Sequence, residues 1–465
     1  MNRLLFSQIR HSHAVFGGSF LTAIVTAVFV QLAAVFWWSV LSESGAEAFA
    51  ASGDSGDSAG ASTFSTLGIF ILVFGVGLPA IIAFTSVGRN SVALLRSEYA
   101  HWRLAGVTPA QIIRTVVLQT ALLTLPASGL AMIVSLPTSP VAVGFVMTLG
   151  STRANVPVVV SWQPLLLSVV AAMAFAFIGA IGPGIRAARV PAIEGLRATA
   201  TSINSRTVLR LIILVALLAA GVAVAINVAT APEGSGGASM LALVGILTGL
   251  TAVAGPLLYP SAIRLWTRLL APESFSPVFL ARGSSSADGT TAAAIITPVL
   301  IAGSLLSGYF SGAGTYKAAI ELIGHGYSIN ILQGLILFGP AAVIGLVAGL
   351  MSVLARSGPD KHAAALLRTV GATPRTLLMI PLIETAMYAV TTLLFTAVIV
   401  YLPTALYALG FANDQGLHVP IIFDIRAALI LTITAALAIF LIRAFPVIRH
   451  KDPDAAPDDI APAQA

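Results

Sequence analysis

The feature that most constrains this chain is a series of ten apolar runs, each long enough to cross a membrane. A helix needs roughly 20 residues to span a hydrocarbon core of about 30 Å. Only 9% of the 465 residues are charged, whereas soluble domains carry roughly 25%. Because backbone groups in lipid must be hydrogen-bonded within their own segment, the runs predict an all-α integral membrane protein with ten transmembrane helices. The predicted spans are 14–41, 65–88, 111–136, 159–183, 208–229, 239–262, 291–313, 329–355, 377–402 and 421–442.

Basic residues indicate how the chain is oriented. With a cytoplasmic N-terminus, 21 of the 24 Lys and Arg residues fall on the cytoplasmic side, and Arg153, Lys317 and Arg426 fall outside. This bias predicts that both termini are cytoplasmic. The net charge of +6 therefore reflects topology and implies no nucleic-acid partner. The first run is too long for a signal peptide and is interpreted as a retained helix, and the absence of cysteine excludes a disulfide framework.

A polar segment occurs twice in this apolar chain. RLAGVTPAQI at 103–112 returns as RTVGATPRTL at 368–377, an offset of 371 − 106 = 265 residues. LPTSPVAVGF at 136–145 and LPTALYALGF at 402–411 share six of ten residues at nearly the same offset. PGIR at 183–186 and PVIR at 446–449 give a weaker third match. Such repeats predict a duplicated structural unit.

The repeat divides the chain into units of four helices. The first unit is predicted over 1–200, two linker helices over 201–277, the second unit over 278–450, and a disordered acidic cytoplasmic tail over 451–465. A two-helix linker gives both units the same orientation, so the duplication is parallel. The loops at 42–64 and 314–328 leave no large extracellular domain. The two LPT segments are interpreted as interfacial or re-entrant caps.

The repeated segment has the pattern of a short helix followed by a capped turn. Leu95, Tyr99 and Trp102 fall on one stripe of an amphipathic helix. Gly106 is a candidate left-handed cap, and Thr108 with Pro109 is a candidate start for the next helix. A basic, capped turn could also serve only to connect two membrane helices. The same Gly, Thr and Pro pattern in both copies favours a functional role beyond connection.

At these residues the sequence resembles the FtsX-like permease family of ABC transporters, the type VII group that includes MacB, LolC and BceB. That family has a basic residue before a glycine turn, then an apolar helix with an early glutamate. Arg103, Gly106, Thr108 and Pro109 match in the first unit, and Arg368, Gly371, Thr373, Pro374 and Glu384 match in the second. Gln119 takes the place of Glu384 in the first unit. RAARVPAIEGLR at 186–197 matches the family's tail, whereas the second unit departs from it with RHKDPDAAPDD.

The resemblance implies that 92–109 and 357–374 are coupling segments, each docking one copy of an ABC ATPase. The residues implied are Arg96, Glu98, Tyr99, Trp102, Arg103, Gly106, Thr108, Pro109, Lys361, Arg368, Gly371, Thr373 and Pro374. The chain has no G-x-x-x-x-G-K-[ST] phosphate loop, so it binds no cofactor of its own, and ATP and Mg are expected in the partner ATPase.

The implied function is that of a non-enzymatic permease subunit in a bacterial cytoplasmic membrane. Two ATPase copies, membrane lipid and an amphiphilic substrate (a peptide, lipid or drug, exported or extracted) are the expected partners. The alternative is a subunit that transports nothing and relays ATPase motion to an extracellular hydrolase or a sensor kinase. A membrane-embedded enzyme is disfavoured because no catalytic motif is recognisable.

Two further polar sites have competing interpretations. Glu384 is an acidic residue inside a predicted span, where a carboxylate is costly. It is expected to pair with an arginine of the coupling region, to couple conformational change, or to contact substrate. Lys317, Glu321 and His325 lie at helical spacing in a predicted outer loop, and a solvated ion pair is favoured there over a zinc site.

Overall fold

The protein is described by a computed structural model. It describes residues 13–45, 47, 68–148, 157–190, 207–230, 236–268, 276–287, 289–326, 329, 331–355 and 366–449. These residues form helices without any strand. The helices are α1 His13–Leu41, α2 Gly68–Leu94, α3 Arg96–Leu104, α4 Pro109–Thr148, α5 Trp162–Ala188, α6 Thr207–Thr230, α7 Gly236–Thr267, α8 Ser276–Ala287, α9 Gly289–Leu322, α10 Ile331–Leu354, α11 Pro374–Gln415 and α12 Arg426–Arg449.

Within this described part, ten helices are long and apolar enough to cross a membrane, which confirms the predicted fold class. These are all the helices above except α3 and α8. The two short helices lie next to spans: α3 directly follows α2, and α8 precedes α9.

The two LPT segments are not separate caps, and that expectation is wrong. Both continue the preceding helix, so α4 has 40 residues and α11 has 42. At 1.5 Å per residue each is about 60 Å long, roughly twice the thickness of a hydrocarbon core. Pro137, Pro140 and Pro403 are accommodated inside these helices. Prolines in membrane helices are tolerated where neighbouring helices and Ser or Thr side chains satisfy the freed carbonyls.

The expected outer loop at 314–328 is also mostly helix, because α9 runs on to Leu322. Lys317 and Glu321 lie on its last turns, with Lys317 Nζ 3.6 Å from Glu321 Oε1 and both side chains well exposed. The solvated i, i+4 pair is therefore confirmed. His325 follows the helix, with its Nδ1 3.2 Å from the Ile323 carbonyl oxygen.

The first and last four spans make the same helix contacts. In the first set α1 packs on α2, α4 and α5, while α5 packs on α2 and α4. In the second set α9 packs on α10, α11 and α12, while α12 packs on α10 and α11. These pairings are the ones a duplicated unit would give, with α1, α2, α4 and α5 corresponding to α9, α10, α11 and α12. The proposed domain boundaries stay a prediction.

The two sets meet through α2 and α10, flanked by α1 against α10 and α2 against α9. The linker helices do not lie midway between the sets. Helix α7 packs on α9 and α11, and α6 packs on α7 and α11. As a result α9 is enclosed, with 94% of its most apolar 18-residue stretch buried, whereas only 11% of the corresponding stretch of α6 is buried, so α6 lies at the surface of the bundle.

An extended segment precedes the last helix of each set and is fixed by hydroxyl groups. Thr315 Oγ1 accepts from the Ile422 amide at 3.3 Å, Ser311 Oγ accepts from the Asp424 amide at 2.9 Å, and Ser307 Oγ accepts from the Ala428 amide at 3.0 Å. These α9 hydroxyls are spaced by four residues and so share one face. In the first set Ser39 Oγ accepts from the Val159 amide at 3.0 Å.

Candidate functional site

The predicted coupling segment of the first unit is a short helix closed by a tight turn. Helix α3 is followed by Gly106 at φ +85°. The Gly106 amide donates to the Arg103 carbonyl at 3.1 Å, and the Val107 amide donates to the Trp102 carbonyl at 3.0 Å. These two bonds form a Schellman motif, which uses a left-handed residue to satisfy the last carbonyls of a helix. Glycine is favoured there because a Cβ is strained at positive φ.

The next helix begins after Thr108, as the sequence predicts, and Gln111 completes a capping box there. Thr108 Oγ1 accepts from the Gln111 amide at 3.4 Å, and Gln111 Oε1 accepts from the Thr108 amide at 2.9 Å. This reciprocal pair satisfies two of the donors that a helix start leaves free. The turn therefore fixes the direction of α4 relative to α3.

The second copy repeats this geometry. Gly371 lies at φ +92°, and its amide donates to the Arg368 carbonyl at 2.9 Å. The Ala372 amide donates to the Leu367 carbonyl at 3.0 Å, which completes the same motif. Thr373 is the N-cap of α11, accepting from the Thr376 amide at 3.3 Å, and Pro374 is the first residue of that helix. Lys361 lies outside the described residues.

One face of α3 is fastened to the membrane helices. The predicted stripe is the packed face: Leu95 and Tyr99 are buried, Trp102 is partly buried, and the Tyr99 and Trp102 rings meet edge to face at 5.5 Å. They pack against the start of α4 and the end of α5. Arg103 Nη1 also donates to the Ala188 carbonyl on α5 at 3.3 Å. A displacement of α3 would thus be passed to α5 as well as to α2 and α4.

Each segment also exposes apolar side chains. Leu104 is 54% exposed in the first copy, and Leu366 and Val370 are 56% and 87% exposed in the second. An apolar side chain this exposed beside a capped polar turn is a candidate contact for another protein.

A buried carboxylate lies on α11, the helix that follows the turn at Gly371. Glu384 is 3% exposed on α11 and accepts from Arg443 Nη1 of α12 and from Ser284 Oγ of α8. The expectation that an arginine of the coupling region pairs with it is wrong, because the partner comes from the last span. We call Glu384, Arg443 and Ser284 the ion-pair clamp. It joins three helices that are distant in sequence.

A cavity of about 120 Å³ adjoins the clamp. Its polar lining consists of Ser284, Thr291, Glu384, Tyr388 and Arg443, and Ile295 and Val353 complete it. The volume is enough for water but small for an amphiphilic molecule.

The first unit lacks this clamp. Gln119, which takes the place of Glu384, is 2% exposed, and its Nε2 has no hydrogen-bond partner among the described residues. The PGIR and PVIR segments are offset by 446 − 183 = 263 residues, which aligns Arg443 with Ala180 on α5. The two units share a helix arrangement but differ in buried charge. Sequence reasoning missed Arg443 because it was counted only as a cytoplasmic positive charge, and missed Ser284 because its segment matched the family weakly.

Residues 69–192, which hold α2, α3, α4 and α5, match the family model "FtsX-like permease C-terminal". This part of the chain is similar to an FtsX-like permease domain. No curated protein matches the chain. An FtsX-like permease domain is that of a transmembrane subunit in an ABC-type transporter-like system, and the family generally works with ABC ATPases. The turn at Gly106 lies inside the matched residues.

Proposed function

We propose that this protein is the permease subunit of an ABC transporter and that two copies of a separate ATPase dock on the turns at Gly106 and Gly371. The observation that carries the proposal is the repeated geometry of these turns. Each has a Schellman motif, a threonine cap and an exposed apolar side chain. A single connecting turn would not require the same construction 265 residues later.

Force on either turn would reach the membrane helices directly. Each turn is continuous with a span about 60 Å long, so a rigid-body displacement of a docked subunit would tilt that span. In the first unit Tyr99 is buried, so its role would be to hold α3 on α5 and not to touch the ATPase. ATP and Mg would be bound by the partner.

The proposed cargo is an amphiphile such as a peptide, lipid or drug, moved out of or extracted from a bacterial cytoplasmic membrane. The support is compositional, because a bundle with so few charges has little with which to bind an ion or a sugar. The described interior carries mainly aliphatic, aromatic and hydroxyl side chains.

The test uses strained glycine positions on both sides of the bundle. Gly106 and Gly371 have positive φ and open space for a side chain. Gly324 and Gly416 have the same properties, but they follow the ends of α9 and α11 that lie away from the coupling turns. Valine at any of these positions introduces a similar local strain of about 1–3 kcal/mol. We expect Gly106→Val and Gly371→Val to lose most stimulation of the co-purified ATPase, and Gly324→Val and Gly416→Val to retain it.

Two results would count against the proposal. One is that all four variants stimulate the ATPase equally, since docking would then not use these turns. The other is that the purified chain captures no ABC ATPase. Capture of an extracellular hydrolase or a sensor kinase along with the ATPase would favour the relay function instead of transport.

A further inference from the structure

The two units meet along a seam of two parallel helices, α2 and α10. We call the half of the seam next to the coupling turns proximal and the other half distal. In the distal half a Cβ on Gly75 would lie 2.4 Å from the Leu337 carbonyl oxygen, so the backbones touch. In the proximal half Asn90 Nδ2 donates to the Ser352 carbonyl at 3.2 Å. The distal and proximal contacts are separated by 15 residues on each helix (90 − 75 on α2 and 352 − 337 on α10), which corresponds to about 22 Å.

Both helices are irregular in the distal half of this seam. Helix α2 is π-helical over Ile71–Gly77, and Pro79 follows. Helix α10 carries Pro340, three residues beyond Leu337. A proline has no amide hydrogen to donate to the carbonyl four residues earlier, so each helix lacks a ladder bond at this level. π-Helical stretches and prolines are the usual causes of bending in helices.

Aromatic side chains fill the distal seam. The Phe70 ring lies 6.1 Å from the Phe338 ring, edge to face, and 4.9 Å from the Phe74 ring. The Tyr309 ring of α9 lies 6.1 Å from the Phe338 ring. Aromatic contacts of this kind add a modest attraction to the apolar area that they bury. Phenylalanine rings carry no hydrogen-bonding group, so the contacts among Phe70, Phe74 and Phe338 can separate without breaking a hydrogen bond of these rings, whereas separating the proximal seam would break the Asn90 bond.

We propose that the distal half of the seam is a hinged gate. The distal turns of α2 and α10 bend at Pro79 and Pro340 and separate, while the proximal halves stay joined through Asn90 and Ser352. The separated surfaces present Phe70, Phe74, Phe338 and Tyr309, a lining suited to the apolar or aromatic part of an amphiphilic cargo. This inference rests on the proposed transport function for the cargo, but the bending itself requires no ATPase.

Hydrogen exchange on the full chain in lipid nanodiscs tests the bending without any partner. We expect the amides of 68–78 and 334–341 to exchange about tenfold faster, or more, than those of 306–315 on α9, which Tyr309 places at the same depth. Pro340→Ala supplies the missing donor and should slow exchange on α10. Equal protection of the seam and of α9, or no effect of Pro340→Ala, would overturn the gate.

Thiol labelling gives a second measurement, because the chain has no cysteine of its own. Phe338 and Ile344 are both fully buried on α10, on the distal and proximal sides of Pro340 respectively. A membrane-permeant maleimide should label Phe338→Cys about tenfold faster than Ile344→Cys if the distal seam opens. Equal labelling rates would overturn the gate even if an ATPase binds. Faster labelling of Phe338→Cys together with no capture of an ATPase would support the gate but reject the proposed function.

Discussion

The ion-pair clamp gives the sharpest energetic prediction. Glu384 is 3% exposed, and the Arg443 side chain is 18% exposed. Removing one partner of a buried pair costs about 3–5 kcal/mol, because the other charge is left uncompensated. Since the Arg443 side chain is partly exposed, we expect Arg443→Ala to lower the free energy of unfolding by about 3 kcal/mol, at the lower end of that range.

The matched variant is Glu384→Gln/Arg443→Ala, which reproduces the residues that the first unit carries at Gln119 and Ala180. It leaves no buried charge, and the new amide oxygen can still accept from Ser284. We therefore expect the double variant to be more stable than Arg443→Ala by about 2 kcal/mol, although it lacks more of the native contacts.

The measurement is reversible unfolding in mixed micelles of a maltoside detergent and dodecyl sulfate, followed by tryptophan fluorescence. Gln119→Glu is the control in the first unit, because it adds a carboxylate of the same shape at a buried position where the aligned residue to Arg443 is Ala180, and it should destabilise the protein. Equal destabilisation by Arg443→Ala and by the double variant would refute the reasoning. It would mean that Glu384 is stabilised by water and Ser284 and not by the arginine.

Three further predictions concern packing and capping, each measured by the same unfolding assay. Gly345→Ala should cost about 1–3 kcal/mol, because its Cβ would lie 2.4 Å from the Pro298 carbonyl oxygen on α9. Gly349→Ala, one turn later, should cost less than about 1 kcal/mol, because the nearest atom to its Cβ would be 3.5 Å away. Equal losses would contradict this packing. Ser311→Ala leaves the partly buried Asp424 amide without its acceptor and should cost about 1 kcal/mol, and an unchanged stability would show that water replaces the hydroxyl. Thr373→Ala removes the α11 cap and should cost about 1 kcal/mol, a loss that Thr373→Ser should largely avoid.

The two units differ in buried charge and in how their coupling turns are held, which predicts unequal roles in a transporter. The second unit has the clamp at α8, α11 and α12, whereas the first has a neutral glutamine and an alanine at the corresponding places. The first unit instead fastens α3 to α5 through Tyr99, Trp102 and Arg103. We expect the two turns to be held with different stiffness, so Gly106→Val and Gly371→Val should reduce ATPase stimulation to different extents.

The sequence alone determined the properties that depend on local chemistry. Apolar runs require helices in lipid, so the number of spans and the all-α class follow from composition and length. The turn at Gly106 was also predictable, because a left-handed cap, a threonine and a proline act within a few residues of one another. Span ends were less certain, since α4 and α11 continue through prolines that lie inside helices.

Only the tertiary structure decided which distant side chains meet. Glu384 is recognisable as a costly buried charge, but its partner Arg443 lies 59 residues away on another helix and could be chosen only by the packing of α11 on α12. The close contact of Gly75 with Leu337 likewise depends on how α2 and α10 lie side by side. Hydropathy and helix periodicity are properties of one segment, whereas these contacts depend on the relative position and rotation of two helices, which no single segment encodes.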